Sequence, residues 1–292
     1  MASLSETSPV TVPSLIAAKG REPIAMMTAY DATTAALLDA AGLDVLLVGD
    51  SAEMTVYGRQ NTLSATMDSM VRHAAAVSGA AKRALVVGDM PFLSYQTSAS
   101  EAVANAGRFL SQAGCTAVKV EGGRRVLAAV EAILAADIPV MGHVGLTPQS
   151  YRKFGGFKVQ GREGAAAREI LKDAAALSEA GCFAIVLECV PEDLASEITR
   201  AIPVPTIGIG AGSSCDGQVL VFHDVMGLSS GVAPRFVRRY ANLAPIIQEA
   251  ARAFTRDVKS RSFPGKEESY SGAKLSAVSF QLSAGGTRAR RP

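Results

Sequence analysis

Eight apolar, β-branched runs of strand length recur along the chain, at about 24–28, 44–49, 84–88, 116–120, 138–142, 183–187, 204–208 and 219–223. Segments with apolar residues at helical three–four spacing lie between most of them. Strands that alternate with helices pair in parallel, because a parallel neighbour is reached only through a crossover. Eight such units favour an α/β fold of the closed (β/α)8, TIM-type barrel, and 292 residues is a typical length for one. A doubly wound open sheet is the rival arrangement. The expected organisation is a flexible N-terminus (1–9), a single catalytic barrel domain (10–268) and a C-terminal tail (269–292). From Ser269 the composition turns to Ser, Gly, Ala and Arg with weak periodicity, which reads as disorder.

Local signals support several of the helices. Asp31 is placed to cap a helix over 31–41. Ser98 and Glu101 form a possible capping box for a helix over 98–112. A helix is expected over 163–180 and another over 191–201, where Pro191 suits the first turn. A last helix over about 235–260 closes the domain. Two connections are longer than a simple turn, 51–62 and 145–163. Both follow a strand, so both fall on the face where barrels carry their active sites.

The apolar runs have an unexpected property: several end in an acid. Asp50 ends "GLDVLLVGD", Asp89 ends "RALVVGD", Glu121 ends "GCTAVKVE" and Glu188 ends "GCFAIVLE". In three of them an Ala-Gly pair precedes the acid by seven or eight residues. A single acid at a strand end has ordinary turn and capping explanations. Four at one relative position converge on one barrel mouth, and there they repel unless a cation or shared protons compensate. Oxygen donors with no Cys or His cluster favour Mg²⁺ or a similar ion. Lys119 lies two residues before Glu121 and shares its strand face, where an ammonium can hold an anionic substrate group. A set of buried ion pairs is the plainer alternative. His143, just past the fifth run, is either structural or catalytic. The loop "IGIGAGSS" (207–214) is either a phosphate cradle or a tight turn that needs small residues.

Bulk properties exclude other classes. A net charge of +2 leaves no electrostatic footprint for nucleic acid, and the basic run "TRARRP" (287–292) reads as a solvated end. Four Cys without a CxxC pair make a disulfide scaffold or zinc site unexpected and a reduced, cytoplasmic setting natural. No apolar stretch approaches the ~18 residues of a membrane helix, and "MASLSETSP" lacks the features of a signal peptide.

A longer set of motifs then points to one family. "MTAYD" (27–31), "LLVGDS" (46–51), "GDMPF" (88–92), "VKVEGG" (118–123), "GHVGLTPQS" (142–150), "GGFKVQGR" (155–162), "VLECVP" (186–191), "CDGQVLVFHD" (215–224) and "RFVRRY" (235–240) resemble the ketopantoate hydroxymethyltransferases, in order, over about residues 10–270. The resemblance implies a (β/α)8 barrel and a homo-oligomer, a decamer in many members. It implies transfer of a one-carbon unit from 5,10-methylenetetrahydrofolate to 3-methyl-2-oxobutanoate (α-ketoisovalerate) in pantothenate biosynthesis, by metal-stabilised enolate chemistry. By position, Asp50, Asp89 and Glu121 match the Mg²⁺ ligands. Asp50, Ser51, Asp89, Lys119 and His143 match groups close to the 2-oxo acid, and Glu188 matches the proton acceptor.

The chain departs from the pattern at Ala52-Glu53, where many members have Leu-Gly, and at Glu268, where a His is common. Neither touches a matched ligand. The related phosphoenolpyruvate mutase and isocitrate lyase group is the enzymatic alternative. Isocitrate lyases and their closest relatives in it carry a Lys-(Lys/Arg)-Cys-Gly-His loop, which this sequence lacks. A catalytically silent paralogue is the other alternative, and no matched ligand is lost to support it.

Overall fold

The computed structural model describes residues 8–229, 231 and 234–271. Its eight strands are β1 (Ile24–Thr28), β2 (Val45–Val48), β3 (Leu85–Asp89), β4 (Ala117–Glu121), β5 (Val140–Gly145), β6 (Ala184–Glu188), β7 (Thr206–Ile209) and β8 (Gly217–Leu220). Each pairs in parallel with the next, and β8 returns to β1, so the sheet closes into a barrel.

From β2 to β7 no strand residue is exposed on either face, which is why the sequence shows unbroken apolar runs there, whereas Ala25 of β1 and Gln218 of β8 face outward and are exposed. One set of side chains fills the barrel: Met26, Val45, Leu85, Val87, Ala117, Met141, Val186, Ile207 and Val219. The alternate set, including Leu46, Val48, Val86, Val118, Val120, Ile185 and Leu187, packs outward on Val77, Phe109, Ile133, Leu177 and Ile198 of the helices. Gly88 faces this outer layer. A Cβ there would lie 2.3 Å from the Phe109 ring, so the glycine lets the ring rest on the sheet. Burying such a ring is worth about 1.5–3 kcal/mol.

The helix Val12–Ala18 supplies Leu15 and Ala18 to the inner cluster. It lies by the N-terminal ends of the strands: Val10 N–H donates to the Arg83 carbonyl (2.8 Å), and Lys19 pairs with Asp216 (2.9 Å), just before β8. The apolar filling therefore sits at that end. The polar side chains are left for the opposite mouth.

Boundaries differ from the sequence expectations in instructive ways. β5 begins after Pro139, which has no N–H for the ladder, and runs on to Gly145, so His143 lies within the strand rather than past it. β8 ends at Leu220, and His223 belongs to a short helix, Phe222–Val225, whose first N–H bonds Thr28 Oγ1 at 3.0 Å. Asp31 caps the helix Ala32–Ala40 as expected. Ser98 caps Ala99–Ser111, but the box is half made: Ser98 accepts from Glu101 N–H, while the Glu101 carboxylate turns to Thr97. Pro191 sits one residue before its helix, Glu192–Ala201. The last helix spans Leu243–Ser260, not 235–260, because Pro245 fits a helix only in the first turn.

By internal contacts, one unit ends at Asn242 and a second begins at Leu243. The second consists, among described residues, of that helix and the segment to 271. The expected flexible N-terminus lies outside the described residues up to residue 7, as do the expected tail from 272 and its basic run. No helix among the described residues is long and apolar enough to cross a membrane.

Candidate active site

The parallel register explains how distant residues meet. Asp89 is the partner of Lys119 across β3–β4, and Glu121 is the partner of His143 across β4–β5. Lys119 and Glu121 are two apart on one strand and share its inner face. Gly145 is the partner of Glu188 across β5–β6. A Cβ at Gly145 would come within 2.3 Å of the Glu188 carbonyl, and its φ is +93°, so glycine is what allows the two chains this close at the tip.

Three of the four strand-end acids form one group. Asp50, Asp89 and Glu121 each offer an oxygen within 4.8 Å of the others, and all three are buried. Lys119, also buried, lies 2.7 Å from Asp89 Oδ1 and 3.3 Å from Glu121 Oε1. Its Nζ is also 3.2 Å from His143 Nδ1. On the far side of that ring, Nε2 is 3.2 Å from Glu188 Oε2, in contact but out of line for a hydrogen bond. Glu188 thus stands apart from the other three acids and is more exposed, with its side chain 14% accessible. Asp89, Lys119, His143 and Glu188 make a continuous chain across the mouth.

Burial governs the charges here. It drives Asp50 well above the ordinary carboxylate range, and the nearby Asp89 and Glu121 add to this. Asp89 is raised to about 6, burial outweighing the Lys119 ammonium. Glu121 is pushed down to about 2, because Lys119 and the His143 ring, whose Nδ1 lies 3.6 Å away, outweigh its burial. Burial alone would lower Lys119, but the carboxylates of Asp89, Glu121 and Asp50 hold it up. Burial and Lys119 likewise oppose the charged imidazole, and Glu121 and Glu188 carry His143 up to about 9. Four carboxylates, Glu188 included, against the Lys119 ammonium and the His143 imidazole leave a deficit of positive charge. The donors are all oxygen, and the four Cys are free and none joins the carboxylate group. The residues present therefore fit a hard divalent cation.

Ser51 lies at the rim, its Oγ 2.8 Å from the buried Tyr30 hydroxyl. Glu53 is buried too, but its carboxylate accepts from Ser64 Oγ and braces the 51–62 loop instead of joining the acids. The "IGIGAGSS" loop turns through Gly210 and Gly212 at positive φ, and a Cβ on Gly212 would clash with Glu192, as the tight-turn alternative requires. Sequence reasoning gave no role to Tyr30, Tyr95 or Gln149. All three are buried, and Tyr95 and Gln149 touch the acids or their backbone directly. The signals for Gln149 were its place in an overlong loop after a strand and in the motif "GHVGLTPQS".

A family model described as ketopantoate hydroxymethyltransferase matches residues 9–266. The chain belongs to the ketopantoate hydroxymethyltransferase family. A relative from Syntrophobacter fumaroxidans named 3-methyl-2-oxobutanoate hydroxymethyltransferase is 54% identical over 268 residues, covering 92% of this chain and 95% of that one. One of the same name from Moorella thermoacetica is also 54% identical, over 91% of this chain and all of its own. As a ketopantoate hydroxymethyltransferase, the chain is a transferase. Solved structures show the same barrel at low identity. A phosphonopyruvate hydrolase complex with oxalate and Mg++ aligns at a TM-score of 0.57 and 15% identity, over 88% of this chain and 92% of that one. A 2,3-dimethylmalate lyase of the PEP mutase/isocitrate lyase superfamily aligns at 0.55 and 16%, over 89% and 91%. These likenesses speak to the fold alone.

Proposed function

We propose that this chain transfers a hydroxymethyl unit from 5,10-methylenetetrahydrofolate to 3-methyl-2-oxobutanoate, giving 2-dehydropantoate. The observation that carries it is the buried group Asp50, Asp89 and Glu121, linked through Lys119 and His143 to Glu188, in a member of this family. Asp50, Asp89 and Glu121 would hold Mg²⁺ or a similar ion. When bound, that ion supplies Lewis acidity toward the carboxylate and keto oxygens of the 2-oxo acid, which makes the C3 proton more acidic. Lys119 adds a fixed positive charge for the same anion. Ser51, held by Tyr30, offers its hydroxyl to the carboxylate.

Glu188 then accepts the C3 proton. Its greater exposure and its separation from the three ligands leave its carboxylate free to face substrate. His143, between Lys119 and Glu188, lies against that base and balances its charge. Water supplies the hydroxyl oxygen: it releases the one-carbon unit at the formaldehyde level from the folate, and tetrahydrofolate leaves. The deprotonated C3 attacks the carbonyl carbon of that unit. The new C–C bond forms as the C=O electron pair becomes the hydroxyl and takes back the proton held by Glu188. Apolar strands that end in acids supply rigid placement and a dry setting together, which is what proton abstraction from carbon requires.

The direct test is product formation. Purified protein supplied with both substrates and Mg²⁺ is expected to make 2-dehydropantoate, detected by mass spectrometry. Activity is expected to collapse with a chelator and to return with excess Mg²⁺. No product, or product indifferent to the chelator, would remove the reading.

We also propose a cytoplasmic homo-oligomer, a decamer by family resemblance. The helix Leu243–Ser260 supports assembly, since none of its residues is buried and Ile246, Ile247 and Phe254 are more than half exposed. Light scattering of the full chain is expected to give a multiple of its 30.2 kDa mass, and a monomer at micromolar concentration would end this part.

A further inference from the structure

We propose that Gln149 is the positioning residue of the carboxylate group, and that Tyr95 sets the direction in which its amide points. This rests on the reading of Asp50, Asp89 and Glu121 as metal ligands. Gln149 lies in the loop after β5, yet it reaches the ends of three other strands. Its backbone N–H donates to Glu121 Oε2 at 3.0 Å. Its side-chain Nε2 donates to Asp50 Oδ2 at 3.1 Å and to the Met90 carbonyl, just past β3, at 2.9 Å. Two of the three acids are thus each held through one oxygen by the same residue, which is 6% exposed.

Such an arrangement works only if the amide cannot turn over. Its Oε1 accepts from the Tyr95 hydroxyl at 2.7 Å and from Gln96 Nε2 at 3.2 Å. A flipped amide would face donors with its NH₂ and would set its oxygen against Asp50 and a carbonyl. Tyr95 is itself fixed: its hydroxyl accepts from Glu121 N–H at 3.2 Å, and its single proton lies between Gln149 Oε1 and the Glu121 carbonyl at 3.0 Å. Every side-chain polar atom of the pair has a partner. A buried network this complete holds its members in one geometry. Groups that orient ligands in this way typically govern metal affinity by about 10- to 100-fold.

Binding of Mn²⁺ to the full chain, read from the free-ion EPR signal, tests the role without turnover. Gln149→Met keeps the length and removes both polar ends. It is expected to weaken Mn²⁺ by about 10- to 100-fold. Tyr95→Phe removes one oxygen and is expected to weaken it less. Added to Gln149→Met, it should cost less than it does alone, because the part that runs through the amide is already lost and only its own bonds to the Glu121 backbone remain. Unchanged affinity in Gln149→Met, or losses that add in full, would overturn the proposal. If Gln149→Met does not fold, Tyr95→Phe decides alone: wild-type affinity there overturns it. Asp89→Asn is measured alongside. A wild type that takes no Mn²⁺, or an Asp89→Asn variant that holds it as tightly, means that the ligand reading has failed and takes the positioning role with it. Tight wild-type binding, lost in Asp89→Asn and kept in Gln149→Met, means that only the positioning role has failed.

Discussion

In D₂O with Mg²⁺ and no folate, the wild-type protein is expected to exchange the C3 hydrogen of 3-methyl-2-oxobutanoate for deuterium, and Glu188→Gln to slow that exchange about 10²- to 10⁴-fold. The assay isolates proton abstraction from the later attack on the one-carbon unit. The substitution keeps the shape of the side chain and removes its basic oxygen. It leaves Asp50, Asp89, Glu121 and Lys119 in place, so the 2-oxo acid should still bind, with an affinity readable by calorimetry. Loss of exchange with binding retained is the signature of a missing base. Loss of both would implicate the binding group instead. If Glu188→Gln exchanges at the wild-type rate, the base lies elsewhere. His143 would be the next group to test, since its Nε2 lies 3.2 Å from the carboxylate.

The barrel was legible because six of its eight strands, β2 to β7, have no exposed residue on either face. An apolar run flanked by helical spacing has few other solutions, and all eight runs became strands. The acids stood out for the same reason: a carboxylate at the tip of "DVLLVGD" breaks a strong pattern. Their division into three plus one was not readable from the residues alone. It depends on register, which sets Glu121 beside His143 and Glu188 beside Gly145. Tyr95 and Gln149 were hidden further, because their contacts span 54 residues of chain and carry no periodic signal. The start of the last helix was misplaced because spacing in "RFVRRY" resembles a helix, while Pro245 ten residues after Arg235 dictates where one can begin.

Lys119→Met is expected to have the largest effect on stability. Lys119 is 3% exposed and is the ammonium within 3.3 Å of both Asp89 and Glu121. Removing one partner from a buried charge group costs about 3–5 kcal/mol, because the remaining charges keep their desolvation without compensation. In chelator, denaturant titration should show a loss of that order. Mg²⁺ should recover part of it, as any ion that binds only the folded chain does. The pH dependence follows from Glu121, which the ammonium helps hold down at about 2 against an ordinary value of 4.5. A carboxyl lowered by folding contributes stability that is complete above its unfolded value and is lost as pH falls through its folded one. Without Lys119 that contribution disappears. The deficit against wild type should therefore grow from about pH 2, where Glu121 ionises, grow again through about pH 6, where Asp89 ionises beside the same ammonium, and shrink as the pH falls back through both. The KM for the 2-oxo acid should rise as well, because the charge holds the substrate anion in ground and transition states alike. A deficit below about 1 kcal/mol that is flat with pH would mean that the carboxylates find their compensation elsewhere, and the charge balance drawn for this mouth would be wrong.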